Sequence, residues 1–171
     1  MSLRCRWSAR IVLLAGLLAI APSGIAAQTP APAPDGAHDF DFELGTWRTT
    51  LRRLASPLSG STTWIPYEGT TVVRPLLDGR FNTAELRVSG TSGQIVGVAL
   101  RLYDPAARQW SLNYATARGG TLTAPVFGSF RDGRGEFYGT DTIEGRLILV
   151  RFVISGITAT SCHFEQAYSA D

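Results

Sequence analysis

From Trp47 to Tyr168 the chain repeats one pattern: short runs of alternating apolar and polar residues, cut at near-regular intervals by turn dipeptides. Alternation with period two puts every second side chain on one face of a strand. The dipeptides Asp78-Gly79, Asp132-Gly133 and Glu144-Gly145 suit tight hairpins, and Asp104-Pro105 starts a turn. Between such points the expected strands are 62–67, 70–76, 81–88, 94–103, 109–117, 126–130 with a broken piece at 121–123, 136–143, 146–154 and 161–168. With a first strand at Trp47 the count is about nine to ten. No stretch has a convincing helical period. Sequential hairpins favour an antiparallel up-and-down meander over a Greek key, and a meander this long tends to close because closure removes its edges. The fold class is therefore all-β, an antiparallel meander forming a barrel, with incomplete closure as the variant to test. The stretch 147–154 is apolar on both faces apart from Arg151, so its outer face is expected to be covered by the 54–61 loop or by a partner subunit.

The entry to this pattern is His38-Asp39-Phe40-Asp41-Phe42-Glu43-Leu44-Gly45-Thr46-Trp47. Phe40, Phe42 and Leu44 alternate with acids, and the phase slips at Gly45, after which Trp47, Thr49 and Leu51 form the alternating set. A glycine at a phase change suggests a bend. A short helical turn over 39–44 competes with the strand reading.

All 16 basic residues are Arg, and three of them, Arg4, Arg6 and Arg10, precede the first acid at Asp35. An apolar run from Ile11 to Ala21, a Pro22-Ser23-Gly24 break and the small pair Ala26-Ala27 follow them. This is the grammar of a cleaved signal peptide over 1–27, with an uncleaved anchor as the rival. A Pro/Ala linker over 28–37 leads to the barrel domain at 38–171. The expected localisation is secreted or periplasmic, with no stable membrane span after cleavage. Without the leader, 13 Arg face 14 Asp and Glu. Such a near-neutral body has no basic footprint for nucleic acid. Cys162 is then the one thiol left, so no internal disulfide can form, and its apolar strand points to an inert side chain.

Gly45-x-Trp47 on the first strand of an antiparallel meander resembles the calycin signature shared by lipocalins and their relatives. More closely, Phe40-Asp41-Phe42-x-Leu44-Gly45-Thr46-Trp47, Tyr67-Glu68-Gly69-Thr70, Leu102-Tyr103-Asp104-Pro105 with Trp110, and Phe164 through Tyr168 with Ser169-x-Asp171 resemble a group of secreted bacterial proteins carrying a lipocalin-like domain of unknown function. The resemblance implies structural roles for Gly45 and Trp47, with the Trp closing the barrel floor and an Arg, here Arg151, packing across it. In that group Ser-x-Asp is followed by one more strand. Here the chain stops at Asp171, so the 161–168 edge is expected to be at least partly unpaired.

The expected function is binding of a small, partly apolar ligand in the barrel. Glu85, Arg101, Asn113, Arg151 and Glu165 are polar positions among apolar strand neighbours, and a buried charge needs a partner. Either they form ion pairs on the outer face or some line a cavity with Tyr103 and Tyr114, where Arg101 or Arg151 could hold a carboxylate. No catalytic motif is present. An isomerase or hydrolase using Glu85 or Glu165 as base is the enzymatic alternative. His163 is a candidate because some calycin relatives bind haem through a single His; a structural His is the competing reading, and no cofactor is required. No metal site is expected: Asp39, Asp41 and Glu43 lack the loop and further oxygens of a Ca²⁺ site. An assembly module, with a homodimer through the 147–154 stretch, is the third alternative.

Overall fold

A computed structural model describes residues 35–171. The expected signal peptide and most of the linker lie outside the described residues. Nine antiparallel strands form one sheet in strict sequence order. They are β1 (Gly45–Leu54), β2 (Trp64–Leu76), β3 (Phe81–Gly90), β4 (Gly93–Asp104), β5 (Gln109–Thr116), β6 (Val126–Arg131), β7 (Arg134–Ile143), β8 (Arg146–Ser155) and β9 (His163–Ser169). The sheet curls strongly into an open half-barrel, and β1 and β9 share no ladder. Among the described residues no strand pairs with the outer edge of β9, as expected for the 161–168 segment.

Two strand expectations change. The runs 62–67 and 70–76 are one strand, because Glu68-Gly69 continues the ladder, opposite Thr50 and Thr49 on one side and Ser89 and Val88 on the other. Residues 121–123 join no strand. They lie against β5 instead, where Thr123 Oγ1 accepts from the Tyr114 amide at 3.0 Å.

The acidic lead-in is also not a strand. Asp41–Glu43 is a single 3₁₀ turn, and the competing helical reading of 39–44 is the one adopted. The reason is packing: the turn lets Phe40 drop into the core, where it is fully buried. Gly45 then has φ +119°. A side chain would resist that conformation, so this glycine is what turns the chain from the 3₁₀ turn into β1. At Asp132-Gly133 both residues have positive φ, 52° and 72°, which a two-residue type I′ hairpin requires.

Paired residues share a face, and faces alternate along each strand. The concave face follows directly from the register Asn82↔Arg101, Arg101↔Leu112, Tyr103↔Trp110, Trp110↔Gly128 and Gly128↔Phe137. The main buried cluster sits there: Ala37, Phe40, Tyr103, Trp110, Leu112, Val126, Phe137, Ile148, Val150 and Ile154. Ordered packing therefore reaches back to Ala37, one residue before the expected domain start. The convex face is left largely uncovered. Leu147 and Leu149 are 71% and 52% exposed, whereas Val153 on the same side is buried, so the 54–61 loop leaves the 147–149 end of that apolar outer side uncovered.

Candidate functional site

The half-barrel has a sealed end and an open end. The lead-in closes the first. The Trp110 indole Nε1 donates to Gly36 O at 2.9 Å, and the Phe40 ring meets Trp110 and Phe130 edge-on with centroids at 4.9 and 5.0 Å. Arg101 lies over Phe40 at 4.4 Å and its Nη1 donates to Glu43 Oε2 at 2.6 Å. Their side chains are only 9% and 15% exposed. Asn82 Oδ1 also accepts from Arg101 at 3.5 Å. The Arg that crosses the floor is thus Arg101, on Phe40, and not Arg151. Trp47 is half-buried and its Nε1 donates to Glu43 O at 2.6 Å. It braces the turn that holds the floor and does not itself form the floor's centre.

Around this floor several groups titrate away from their usual ranges. Burial, and then the Tyr103 surroundings of Asp35 and Asp39, push the Tyr103 phenol up, while Arg108 pulls it down. Among the described residues the Arg108 guanidinium is the cation that acts on the Tyr103 hydroxyl. Burial and then Glu43 push the Cys162 thiol up, against Arg101. That keeps it protonated at neutral pH, in line with an inert side chain. Burial and then the Asp35 charge raise Asp39. An aspartate held higher in the folded state than in the unfolded chain binds more proton when folded. Stability therefore falls as pH rises from the ordinary aspartate range through the raised value. Asp39→Asn is expected to abolish that slope and raise the melting temperature at pH 7, read from thermal melts between pH 3.5 and 7. An unchanged slope would assign the effect elsewhere.

Toward the open end the concave face carries three tyrosines. Tyr67 is buried, and Tyr114 and Tyr168 are half-buried. Burial raises the Tyr114 phenol. Its hydroxyl lies directly over Gly97, where any Cβ would collide with it, so the glycine makes room for the phenol. Burial and then Asp141 raise Tyr168, with Arg53 and a Gln166 hydrogen bond acting the other way. Arg53 on β1 and Asp141 on β7 thus face Tyr168 at the mouth. Thr49 and Thr71 hydroxyls pair at 2.7 Å on the same face.

Of the eight residues expected to line a cavity, Arg101, Tyr103 and Tyr114 are concave, and the first two belong to the sealed floor. Arg101 is already neutralised by Glu43. The other five are convex, because each has the opposite strand parity. Glu85 meets Arg87 at 2.6 Å and Arg74 at 3.9 Å. Asn113 ties down the loop after β5, donating to Thr123 O at 2.9 Å. Arg151 is exposed opposite Tyr138. His163 and Glu165 approach to 3.9 Å with most of both side chains in solvent. The carboxylates considered as bases are thus ion-paired or exposed on the outer side. A shallow convex groove of about 350 Å³ runs past Leu102, Pro105, Gln109 and Phe127, and another of about 360 Å³ includes Glu85 and Arg74. Neither gathers a set of convergent polar groups.

Sequence reasoning missed Glu43, Tyr67, Tyr168, Arg53 and Asp141 as concave groups. The signal was strand parity: counting in twos from Trp110 across the hairpins would have placed the tyrosines on the face that Trp110 shares.

No protein-family model matches this chain, and no curated protein matches it. Among the described residues no helix is long and apolar enough to cross a membrane.

Proposed function

We propose that this chain is a secreted, calycin-type half-barrel that holds a small, partly apolar molecule on its concave face, toward the open end. The observation that carries the reading is the set of Tyr67, Tyr114 and Tyr168 on that face, with the Tyr114 and Tyr168 phenols raised chiefly by burial. A tyrosine combines an apolar ring with a hydroxyl that seeks a partner when desolvated. Ligand sites pair an apolar lining with a few placed polar groups in the same way. Here Leu86, Val88 and Ile95 share the face through the register Thr71↔Leu86 and Val88↔Ile95 and would pack against the apolar part. The Tyr114 hydroxyl would donate to a carbonyl, hydroxyl or sulfonate oxygen. Arg53 and Asp141 at the mouth offer one cation and one anion, which suits a ligand end that both accepts and donates hydrogen bonds.

The test uses the fluorophore 1-anilinonaphthalene-8-sulfonate. Saturable binding with a blue-shifted emission is expected. Tyr114→Phe should weaken it by at least about 3-fold, the worth of one hydrogen bond between neutral groups, and by more than about 10-fold if the hydroxyl donates to the charged sulfonate. Leu149→Ser on the convex face should leave it unchanged. Binding that responds to Leu149→Ser and ignores Tyr114→Phe would move the site to the outer surface and end the concave reading.

A further inference from the structure

Among the described residues the sheet has two unpaired edges, β1 and β9, and they are not alike. β1 carries Arg48, Arg52 and Arg53 within ten residues, and charge on an edge strand is a common guard against pairing with another chain. β9, His-Phe-Glu-Gln-Ala-Tyr-Ser, carries no Arg and no Pro. Its ladder with β8 runs without a break from Leu149↔Ser169 to Ser155↔His163, so no bulge turns it aside. Apolar side chains stand exposed beside it on both faces: Phe164 on the concave side at 49%, Leu147 and Leu149 of β8 on the convex side.

We propose that β9 is a self-association edge: two copies of this chain pair β9 with β9 antiparallel, about a two-fold axis at Gln166. The inference shares Tyr168 with the proposed ligand site but does not rest on ligand binding. A two-fold axis normal to the sheet keeps both concave faces on one side, so residues can oppose only residues of their own parity, and the axis must pass through a residue. The sequence selects which. With the axis at Gln166, Phe164 opposes Tyr168 of the second copy, Glu165 opposes Ala167 and His163 opposes Ser169, each pair occurring twice. All seven residues are matched over about 23 Å. Two aromatic pairs fall on the concave face, and no like charges meet. Moving the axis to Glu165 sets the two carboxylates directly against each other. Moving it to Ala167 separates the aromatic pairs and leaves His163 and Phe164 without partners. The edge is thus self-complementary in one register.

Sedimentation velocity across a concentration series reads the association, with a reversible monomer–dimer equilibrium expected. Gln166→Lys places two ammonium groups across the axis, and is expected to weaken the dimer at least 10-fold. Gln166 is exposed, so the melting temperature of the monomer should hold, which separates lost pairing from lost folding. Arg48→Ala on the other edge should change nothing. The register is read with Gln166→Cys in a Cys162→Ser background. Opposed residues in an antiparallel pair have Cα atoms about 4.5–5.5 Å apart, within disulfide reach, so mild oxidation should give a covalent dimer. Ala167→Cys in the same background, opposite Glu165, should stay monomeric. A monomer at every concentration overturns the proposal. So does a dimer that Gln166→Lys leaves intact or that cross-links through position 167 and not 166.

Discussion

Replacing Phe40 with alanine is expected to cost about 3–5 kcal/mol of stability, the range for deleting a fully buried aromatic ring. The ring is completely buried and touches more of the floor than any other side chain of the lead-in. It meets Trp110 and Phe130 edge-on and lies near-parallel to Phe137 at 5.9 Å, with the Arg101 guanidinium over its face. Its removal leaves a cavity bounded by rigid rings on three strands, which cannot easily collapse into it. Trp47→Ala is the instructive comparison. The larger ring in the more conspicuous motif is only half-buried, so its loss should cost less, about 1.5–2.5 kcal/mol, roughly half of a full burial. Urea unfolding of both variants decides the order. If Trp47→Ala proves the more damaging, the floor is organised around the Gly-x-Trp indole after all.

Arg101→Met should rank with Phe40→Ala. Removing one partner of a buried ion pair leaves the other charge without compensation, typically at a cost of about 3–5 kcal/mol. Glu43 would be left in that position, with 15% of its side chain exposed, and Phe40 would lose the cation over its ring. The double variant Glu43→Leu, Arg101→Met is expected to recover at least half of the loss, because it removes both desolvated charges together. Denaturant midpoints for the two single variants and the double give the coupling directly. A single-variant cost below about 1 kcal/mol would mean that the pair behaves as an ordinary surface contact. This ion pair joins residues 58 positions apart, so it also fixes the lead-in to β4. That link acts with the Trp110–Gly36 hydrogen bond and the Phe40 ring contacts to hold the lead-in across the sealed end.

The pattern of the chain by itself determined the all-β class, the order of the strands and their neighbours, although it divided β2 at Glu68-Gly69 and added a piece at 121–123 that joins no strand. Period-two alternation and turn dipeptides are local, and nearest-neighbour hairpins leave a meander almost no other topology. Parity was equally local: Arg101 and Tyr103 had to share a face, and Asn113 and Tyr114 had to lie on opposite ones. Three decisions belonged to the tertiary structure alone. The lead-in alternates in a way compatible with either a strand or a turn, and it became a 3₁₀ turn because only that places Phe40 among Trp110, Phe130 and Phe137. Which face became concave was not legible from alternation, since strands such as β8 are apolar on both sides and only the curl of the sheet and the plug beneath it choose between them. The pairing of Glu43 with Arg101 was likewise invisible, because an ion pair between distant segments leaves no periodic trace. For that reason Glu43, read along the chain as one acid among three, is in the folded protein the carboxylate that neutralises the floor's buried arginine.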